Sequence, residues 1–285
     1  MVMSFSSFSR LSIWVRILAG GILTALALLI SGWVGLPPSL KYIIPLGLIL
    51  LILFNGLLFK AEGESLAKLG LDLSKTNLLF LPLGLIIGLV AFAINFFIME
   101  GMQGNSLHFN GSMDIPAFMS YALALLPMAA TQQFIVRSYC YVKTMEATNV
   151  RLATILFGLL FIALHNVFNA DIFNAIFLSL SLFVSHLLFS TAFLQSGTLY
   201  FAIGIHWGCN VANDHLLVEG LHPTSLVYAL PPETAPNDGS GPGILIILLY
   251  FLLINTGYIF FGLLIWKWKL LKKWFPGKGQ PATGY

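Results

Sequence analysis

The chain has 285 residues, of which 58% are hydrophobic and only 9% are charged. Soluble domains usually carry about 25% charged residues, so this composition excludes an ordinary soluble protein and indicates an integral membrane protein. The net charge of +3 is small. The basic residues are better explained by membrane topology than by nucleic-acid binding, and we therefore expect no nucleic acid as a partner.

Eight stretches are apolar enough to predict membrane helices, each of which needs about 20 mostly apolar residues. They are Ile13–Ser31, Leu40–Phe59, Leu78–Met99, Pro116–Tyr141, Leu152–Asn166, Ile172–Phe193, Thr198–Val218 and Gly243–Trp266. The chain is therefore predicted to be a single all-α, polytopic membrane domain over residues 1–285. No internal repeat is visible, which argues against a transporter built from repeated halves.

The distribution of basic residues predicts that both termini face the cytoplasm. With eight spans, twelve of the fourteen Lys and Arg residues fall on the cytoplasmic side and only Lys41 falls outside, as the positive-inside rule expects. The outer loop Leu221–Gly241 is rich in Pro and Gly and is predicted to be irregular. The basic tail after Trp268 is expected to contact lipid headgroups. Short loops and the lack of an organelle signal favour a prokaryotic plasma (inner) membrane.

The stretch Thr131–Arg137, with the sequence TQQFIVR, places three polar side chains inside the fourth predicted span. They are Gln132, Gln133 and Arg137. A charged guanidinium at membrane depth is expensive and therefore indicates a functional site. Gln133 and Arg137 are four residues apart, so they share a helix face.

Three later polar residues also lie inside apolar segments: His165 in the fifth predicted span, and His206 with Asn210 in the seventh. At a rise of about 1.5 Å per residue, Gln132 and both histidines lie about 12–20 Å from the cytoplasmic ends of their helices. We therefore expect a polar cavity between the fourth, fifth and seventh spans, opening toward the cytoplasmic half. Two imidazoles and an amide would suit either a water molecule or a metal ion such as zinc. His165, His206 and Asn210 are the candidate ligands.

The order of these motifs resembles the CPBP intramembrane proteases. This family, also called Abi, includes the type II CAAX prenyl proteases and bacteriocin-processing or immunity proteins. Its motifs are E-E-x-x-x-R, F-x-x-x-H and H-x-x-x-N, each on its own membrane helix. The second motif stands here as Phe161-Ile-Ala-Leu-His165 and the third as His206-Trp-Gly-Cys-Asn210. The third is preceded by Gln195-Ser-Gly-Thr-Leu-Tyr200, which resembles the family turn of the type TGSLW.

The resemblance covers residues 116–220 and implies hydrolysis of membrane-proximal peptides, such as prenylated C-termini or bacteriocin and leader peptides. In the family, the first glutamate is assigned to activating water, aided by the first histidine. The second histidine and the asparagine are assigned to steadying the oxyanion. Members are described both as metalloproteases and as glutamic proteases. The catalytic positions implied for this chain are Gln132, Gln133, Arg137, His165, His206 and Asn210.

The chain departs from the family in the first motif, where Gln132 and Gln133 stand in place of the two glutamates. A glutamine amide is essentially non-basic, and losing a general base typically costs about 10²–10⁴-fold in rate. Neutral glutamines also leave the charge of Arg137 unmatched, which disfavours a divalent cation, so no cofactor is predicted with certainty. Arg137 is instead expected to seek a carboxylate.

Other polar residues receive supporting roles. The candidate carboxylates for Arg137 are Asp171, Asp214 and Glu100. His186 has no motif around it and is predicted to be structural. Asn166 and Asn169 are expected to orient the His165 ring, because a working histidine usually has a second partner.

Three functions remain open from the sequence. The first is an intramembrane endopeptidase scaffold that is inactive or strongly impaired by its glutamines. The second is a non-catalytic binding, regulatory or immunity protein that uses the same pocket for a peptide or a membrane-protein partner. The third is a small transporter or channel, which does not explain the order of the motifs. The glutamine pair is compatible with natural divergence and with deliberate inactivation of an enzyme.

Overall fold

The computed structural model describes residues 8–34, 45–165, 167–169, 171–232 and 244–267. Most of these residues are helical. The helices are, in chain order, α1 (Ile13–Val34), α2 (Leu46–Ala61), α3 (Lys75–Gln103), α4 (Ile115–Arg137), α5 (Tyr139–Ala147), α6 (Val150–Ala163), α7 (Ile172–Ser196), α8 (Leu199–Val211), α9 (Ile244–Ile254) and α10 (Thr256–Trp266). The strands are β1 (Ser106–Phe109), β2 (Leu217–Glu219) and β3 (Val227–Leu230).

Each of the eight predicted segments overlaps a helix, but the helices differ in length. Within the described residues, four are long and apolar enough to cross a membrane alone: α1, α3, the continuous run Ile115–Ala147, and Asn174–Ser196 of α7. A fifth crossing results if α9 and α10, bent by 60° at Asn255, form one broken span. The helices α2 and α6 are apolar but shorter. Membrane insertion by several helices follows, and the count of eight stays a prediction.

The fold is mostly helical, as the predicted all-α class requires, but the described residues also include a small sheet with strand order β1–β3–β2 that was not predicted. Strand β3 pairs antiparallel with β1, with Leu107 opposite Ala229, and parallel with β2, with Val218 opposite Tyr228. The strands have only three or four residues, too few for a visible alternation. Pairing of these strands gives hydrogen-bond partners to backbone N–H and C=O groups of the loops, which would otherwise be unpaired.

Two consequences for the sequence predictions follow from this sheet. The loop Leu221–Gly241 is not irregular throughout, because β3 lies within it; residues 233–241 lie outside the described part. The seventh predicted span ends early, since α8 gives way to a π-helical turn over Ala212–Leu216 and then to β2.

Helices α3 and α8 pack backbone against backbone through glycines spaced four residues apart. A Cβ atom built on Gly204 would lie 3.0 Å from the Cα of Gly84, and one on Gly208 would lie 3.0 Å from the Cα of Gly88. Such small-residue pairs allow membrane helices to approach closely. His206 lies between the two glycines of α8 in sequence and on the other side of the helix, where it contacts α4.

Helix α8 is the central helix of the described bundle. Ten of its thirteen residues are buried, and it contacts α3, α4 and α7. Its N-terminus is fixed by Thr198, whose hydroxyl donates to the Gly70 carbonyl oxygen at 2.8 Å. Because α8 is enclosed in this way, its buried His206 faces protein groups.

Six charged residues form a network at the end of the bundle opposite the sheet. Within it, Lys143 lies 2.5 Å from Glu62, and Glu62 lies 2.8 Å from Arg16. The start of α1, the end of α2 and the helix α5 therefore meet there. The network consists of Arg16, Glu62, Glu64, Lys68, Lys143 and Glu146.

The Glu62 carboxylate is the most enclosed acid of this network. Burial raises the pKa of the Glu62 carboxyl, but hydrogen bonds from Lys143 and Tyr139, the charge of Lys143 and the contact with Arg16 outweigh burial, so the pKa is lower than usual. Tyr139 also donates its backbone N–H to the side-chain oxygen of Asn55, at 2.9 Å. These bonds hold α5 in place immediately after the break at Ser138 that ends α4.

We predict that Gly88→Ala destabilises the protein by about 1–3 kcal/mol, a typical cost of overpacking, because the new Cβ would collide with the carbonyl oxygen of Ile205. The matched control is Gly101→Ala on the same helix, where a Cβ meets nothing within 4 Å. There alanine gains up to about 1 kcal/mol of helix propensity. Thermal unfolding in detergent measures both. Equal midpoints for the two variants would contradict the close packing of α3 and α8.

We predict that Glu62→Gln costs about 1–3 kcal/mol at pH 7, because Arg16 loses its carboxylate partner and Lys143 loses the nearest of its three. A carboxyl with a lowered pKa stabilises the fold above its unfolded pKa, about 4.3, and this contribution is lost as the pH falls through the folded pKa. The stability difference between wild type and Glu62→Gln should therefore be constant near neutral pH and should shrink progressively as the pH falls below about 4.3. Thermal unfolding from pH 7 to pH 3.5 measures it.

The control for that experiment is Glu64→Gln, because Glu64 is more exposed and its partners keep other carboxylates. We expect this variant to cost less than about 1 kcal/mol. A gap between wild type and Glu62→Gln that stays constant down to pH 3.5 would refute the assignment to the Glu62 charge.

Candidate active site

Three helices supply the six residues that the sequence singles out. Helix α4 carries Gln132, Gln133 and Arg137 in its last two turns, and α8 carries His206 and Asn210. His165 lies two residues after the end of α6. Of the six, the structure connects Gln133, Arg137 and His206 directly by hydrogen bonds.

Arg137 is completely buried and is bonded to neutral groups. Its Nη1 donates to Oε1 of Gln133 at 2.7 Å. Its Nη2 lies 2.8 Å from Nδ1 of His186, 2.7 Å from the His186 carbonyl oxygen and 3.1 Å from Oγ of Ser190. The guanidinium also lies over the ring of Phe189, 5.6 Å from its centroid. Helices α4 and α7 are joined through this one side chain.

The expectation that Arg137 pairs with a carboxylate is wrong. Among the described residues, no carboxylate lies within salt-bridge distance of it. Each proposed partner is instead bonded to a nearby amide: Glu100 by Asn105, Asp171 by Asn174, and Asp214 by Asn213. The amide, imidazole, carbonyl and hydroxyl acceptors around Arg137 are enough to satisfy most of its donors.

His186 is the contact that sequence reasoning missed. A structural role agrees with its burial, but nothing in its neighbourhood of the sequence identified Arg137 as its partner. Its Nε2 lies 3.0 Å from the Thr154 carbonyl oxygen of α6. The available signal was the spacing of His186 and Ser190, which are four residues apart and so share one face of α7.

His206 is buried and contacts α4 through a single strong bond. Its Nδ1 lies 2.8 Å from Nε2 of Gln133. The ring of Phe189 stacks on the imidazole, with centroids 5.0 Å apart and planes inclined by 21°. Since Nδ1 is bonded to Gln133, Nε2 is the ring nitrogen of His206 that can contact another group.

His165 is partly exposed and is oriented by its own helix. Its Nδ1 lies 2.7 Å from the carbonyl oxygen of Phe161. This backbone group holds the ring, where Asn166 or Asn169 was expected to do so; Asn166 lies outside the described residues. The centroid of the Phe161 ring lies 4.4 Å from the centroid of the His165 ring and 5.8 Å from that of the His206 ring. The two histidines therefore lie next to the same aromatic side chain.

Gln132 and Asn210 are half-buried and lie outside the bonded chain. The Oε1 atom of Gln132 is buried and has no hydrogen-bond partner among the described residues. The two neighbouring glutamines thus differ sharply. The Gln133 amide is bonded on both sides, whereas Gln132 has spare acceptor capacity.

The donor set does not suit a divalent metal ion. In the part of the chain that the structure describes, no three His, Cys, Asp or Glu side chains lie close enough to hold one. Zinc in proteins is bound by these residue types, commonly by three of them in catalytic sites. The positive charge of Arg137, one residue removed from His206 through Gln133, opposes a cation further.

An apolar cavity of about 400 Å³ lies beside α4, between that helix and α2, α3 and α8. None of the six candidate residues lines it. It is therefore distinct from the polar cavity predicted between α4, α6 and α8. Its lining comprises Leu48, Ile52, Leu66, Leu71, Leu81, Leu126, Pro127, Ala130, Phe134, Tyr200 and Ile203.

Comparison with known proteins bears on this arrangement. Residues 114–212 match the family described as type II CAAX prenyl endopeptidase, Rce1-like. This range runs from the N-cap of α4 to the end of α8 and contains all six candidate residues. Neither the curated proteins nor the solved structures include a significant match to the chain. Residues 114–212 are thus similar to the type II CAAX prenyl endopeptidase family, which supports the resemblance to the CAAX-protease-like (CPBP) proteins over this part of the chain.

Proposed function

We propose that this protein is a membrane-embedded CAAX-protease-like scaffold that has lost its general base, so that peptide hydrolysis is absent or strongly reduced. The observation that carries the proposal is the hydrogen bonding of the two glutamine amides at positions 132 and 133. Gln133 is committed to Arg137 and His206, and Gln132 offers only a non-basic oxygen. Neither side chain takes up a proton near neutral pH, which general-base catalysis requires.

The two positions have different roles in the proposal. Gln132 occupies the base position, because its buried Oε1 lacks a partner among the described residues and is available to a water molecule. Gln133 occupies a supporting position between Arg137 and His206. By the resemblance, His206 and Asn210 contact the carbonyl oxygen of a bound peptide, and His165 contacts the attacking water.

The membrane setting forms part of the same proposal. We assign eight spans, both termini in the cytoplasm and a prokaryotic plasma membrane. The charged network at the junction of α1, α2 and α5, opposite the sheet, supports this alternation of the chain. The proposed partners are membrane lipid and membrane-proximal peptides, including prenylated or leader peptides.

A second candidate function is peptide binding without cleavage, in a regulatory or immunity role. The specific observation in its favour is that the bonds around Arg137 are made with neutral partners and need no glutamate. The site is therefore a stable structure as it stands. It retains partly exposed polar groups at Gln132, His165 and Asn210.

We predict that Gln132→Glu raises peptide cleavage by about 10²–10⁴-fold, the usual contribution of a general base. Gln133→Glu alone should give no such gain, because position 133 faces Arg137 and His206. The double variant should also gain cleavage over the unaltered chain, since it contains the same glutamate at position 132. Purified proteins in detergent are assayed against quenched peptides with and without a prenyl group.

One control variant and two contrary outcomes test this prediction. Adding His165→Ala to Gln132→Glu should remove most of the gained activity, since His165 assists the same water. Strong cleavage by the chain as it stands would refute the loss of the base. If no variant cleaves although all unfold at similar temperatures, photo-crosslinking of the same peptides to the unaltered chain would support the binding function.

A further inference from the structure

The hydrogen bonds around Arg137 have directions that follow from the chemistry of the groups. A guanidinium can only donate, so the Gln133 atom 2.7 Å from Arg137 Nη1 must be the amide oxygen. The other end of the same amide is then the NH₂ group, which faces Nδ1 of His206 at 2.8 Å. Since this NH₂ group donates, Nδ1 of His206 must carry a lone pair.

We propose that Arg137 and Gln133 hold His206 in the tautomer that carries its proton on Nε2. The site then presents an N–H donor from His206 to a peptide carbonyl or water oxygen, and His206 does not bind a divalent metal ion. Arg137 and Gln133 are positioning residues for that donor. The inference does not depend on whether the protein cleaves peptides.

The doubly protonated form of His206 is opposed by the same contacts. A proton on Nδ1 would point at the hydrogens of the Gln133 amide, and the second positive charge would lie near Arg137. A neutral imidazole carries one proton, and with Nδ1 accepting, that proton resides on Nε2. Binding of zinc needs a lone pair on the ligating nitrogen, which this tautomer lacks on its free edge.

The other two histidines of the site are fixed by independent bonds. His165 donates from Nδ1 to the carbonyl oxygen of Phe161, which leaves the lone pair on Nε2. His186 accepts from Arg137 at Nδ1 and donates from Nε2 to the carbonyl oxygen of Thr154. The site therefore combines a donor imidazole, His206, with an acceptor imidazole, His165, and both rings lie next to Phe161. This pair suits a neutral ligand with both a donor and an acceptor, such as a peptide amide or water.

A glutamate at position 133 would reverse the tautomer. A carboxylate only accepts hydrogen bonds, so it would accept from Arg137 on one side and from Nδ1–H of His206 on the other. The lone pair of His206 would then lie on Nε2, where it could ligate a metal or take up a proton. A single residue, Gln133, thus decides whether His206 donates or accepts at the site.

The test is ¹⁵N NMR of the full chain, labelled at histidine, in detergent micelles at pH 7.5. Protonated and unprotonated ring nitrogens have well-separated shifts, and their couplings to the two ring carbon-bound protons distinguish Nδ1 from Nε2. We expect His206 and His186 to be protonated on Nε2 and His165 on Nδ1, with assignments made from His206→Gln and His165→Gln. In Gln133→Glu, the proton of His206 should move to Nδ1, while His165 and His186 keep their tautomers as internal controls.

Several results would overturn the proposal. One is a wild-type His206 that is protonated on Nδ1 or on both nitrogens. Another is a folded Gln133→Glu variant in which His206 keeps Nε2–H. If that variant fails to fold, Gln133→Met removes the amide at similar length, and His206 should then populate both tautomers. Equimolar zinc chloride should leave the wild-type His206 signals unshifted. Loss of the Nε2 proton on adding zinc would refute the claim that His206 does not bind a divalent metal ion.

Discussion

The buried guanidinium of Arg137 is the constraint on which the site depends. A charged arginine inside the membrane is costly, up to about 2.5–3.5 kcal/mol on insertion scales, and this cost is offset only by groups that can accept hydrogen bonds. Helices α4 and α7 provide them, and His186 continues the connection to α6. Because Arg137 only donates, it fixes the direction of its bond to Gln133. That bond in turn fixes the direction of the bond from Gln133 to the His206 ring on α8.

The two glutamines show how adjacent residues in one motif can carry separate functions. Neighbouring side chains on a helix point about 100° apart, so Gln133 faces the interior while Gln132 remains half-buried. Replacing a glutamate by glutamine therefore removes a proton acceptor at one position and reverses a hydrogen bond at the other. In the proposed function, the first change removes the general base, and the second changes which nitrogen of a histidine on another helix carries the proton.

Hydropathy placed the helices well, because a membrane segment must be apolar over most of its length. The same signal could not reveal the strands β1, β2 and β3, which are short and defined by pairing between distant parts of the chain. For Arg137, the cost of burial predicted a partner but not its type, and a carboxylate was the wrong choice. The contact with His186 depends on how α4 and α7 pack against each other. The spacing of residues within one helix does not predict this packing.

The enclosure of α8 bears on how the protein is made. Chains are synthesised from the N-terminus, so α3, α4, α6 and α7 emerge from the ribosome before α8 does. During that interval, Arg137 can already bind His186 and Ser190, but the amide hydrogens of Gln133 have no imidazole to meet and the glycine face of α3 is uncovered. When α8 enters between helices that are already inserted, His206 accepts from the Gln133 amide and the glycines of α8 cover the glycine face of α3. The hydrogen-bonded core of the site is thus completed late in biogenesis, in the same step that closes the centre of the bundle.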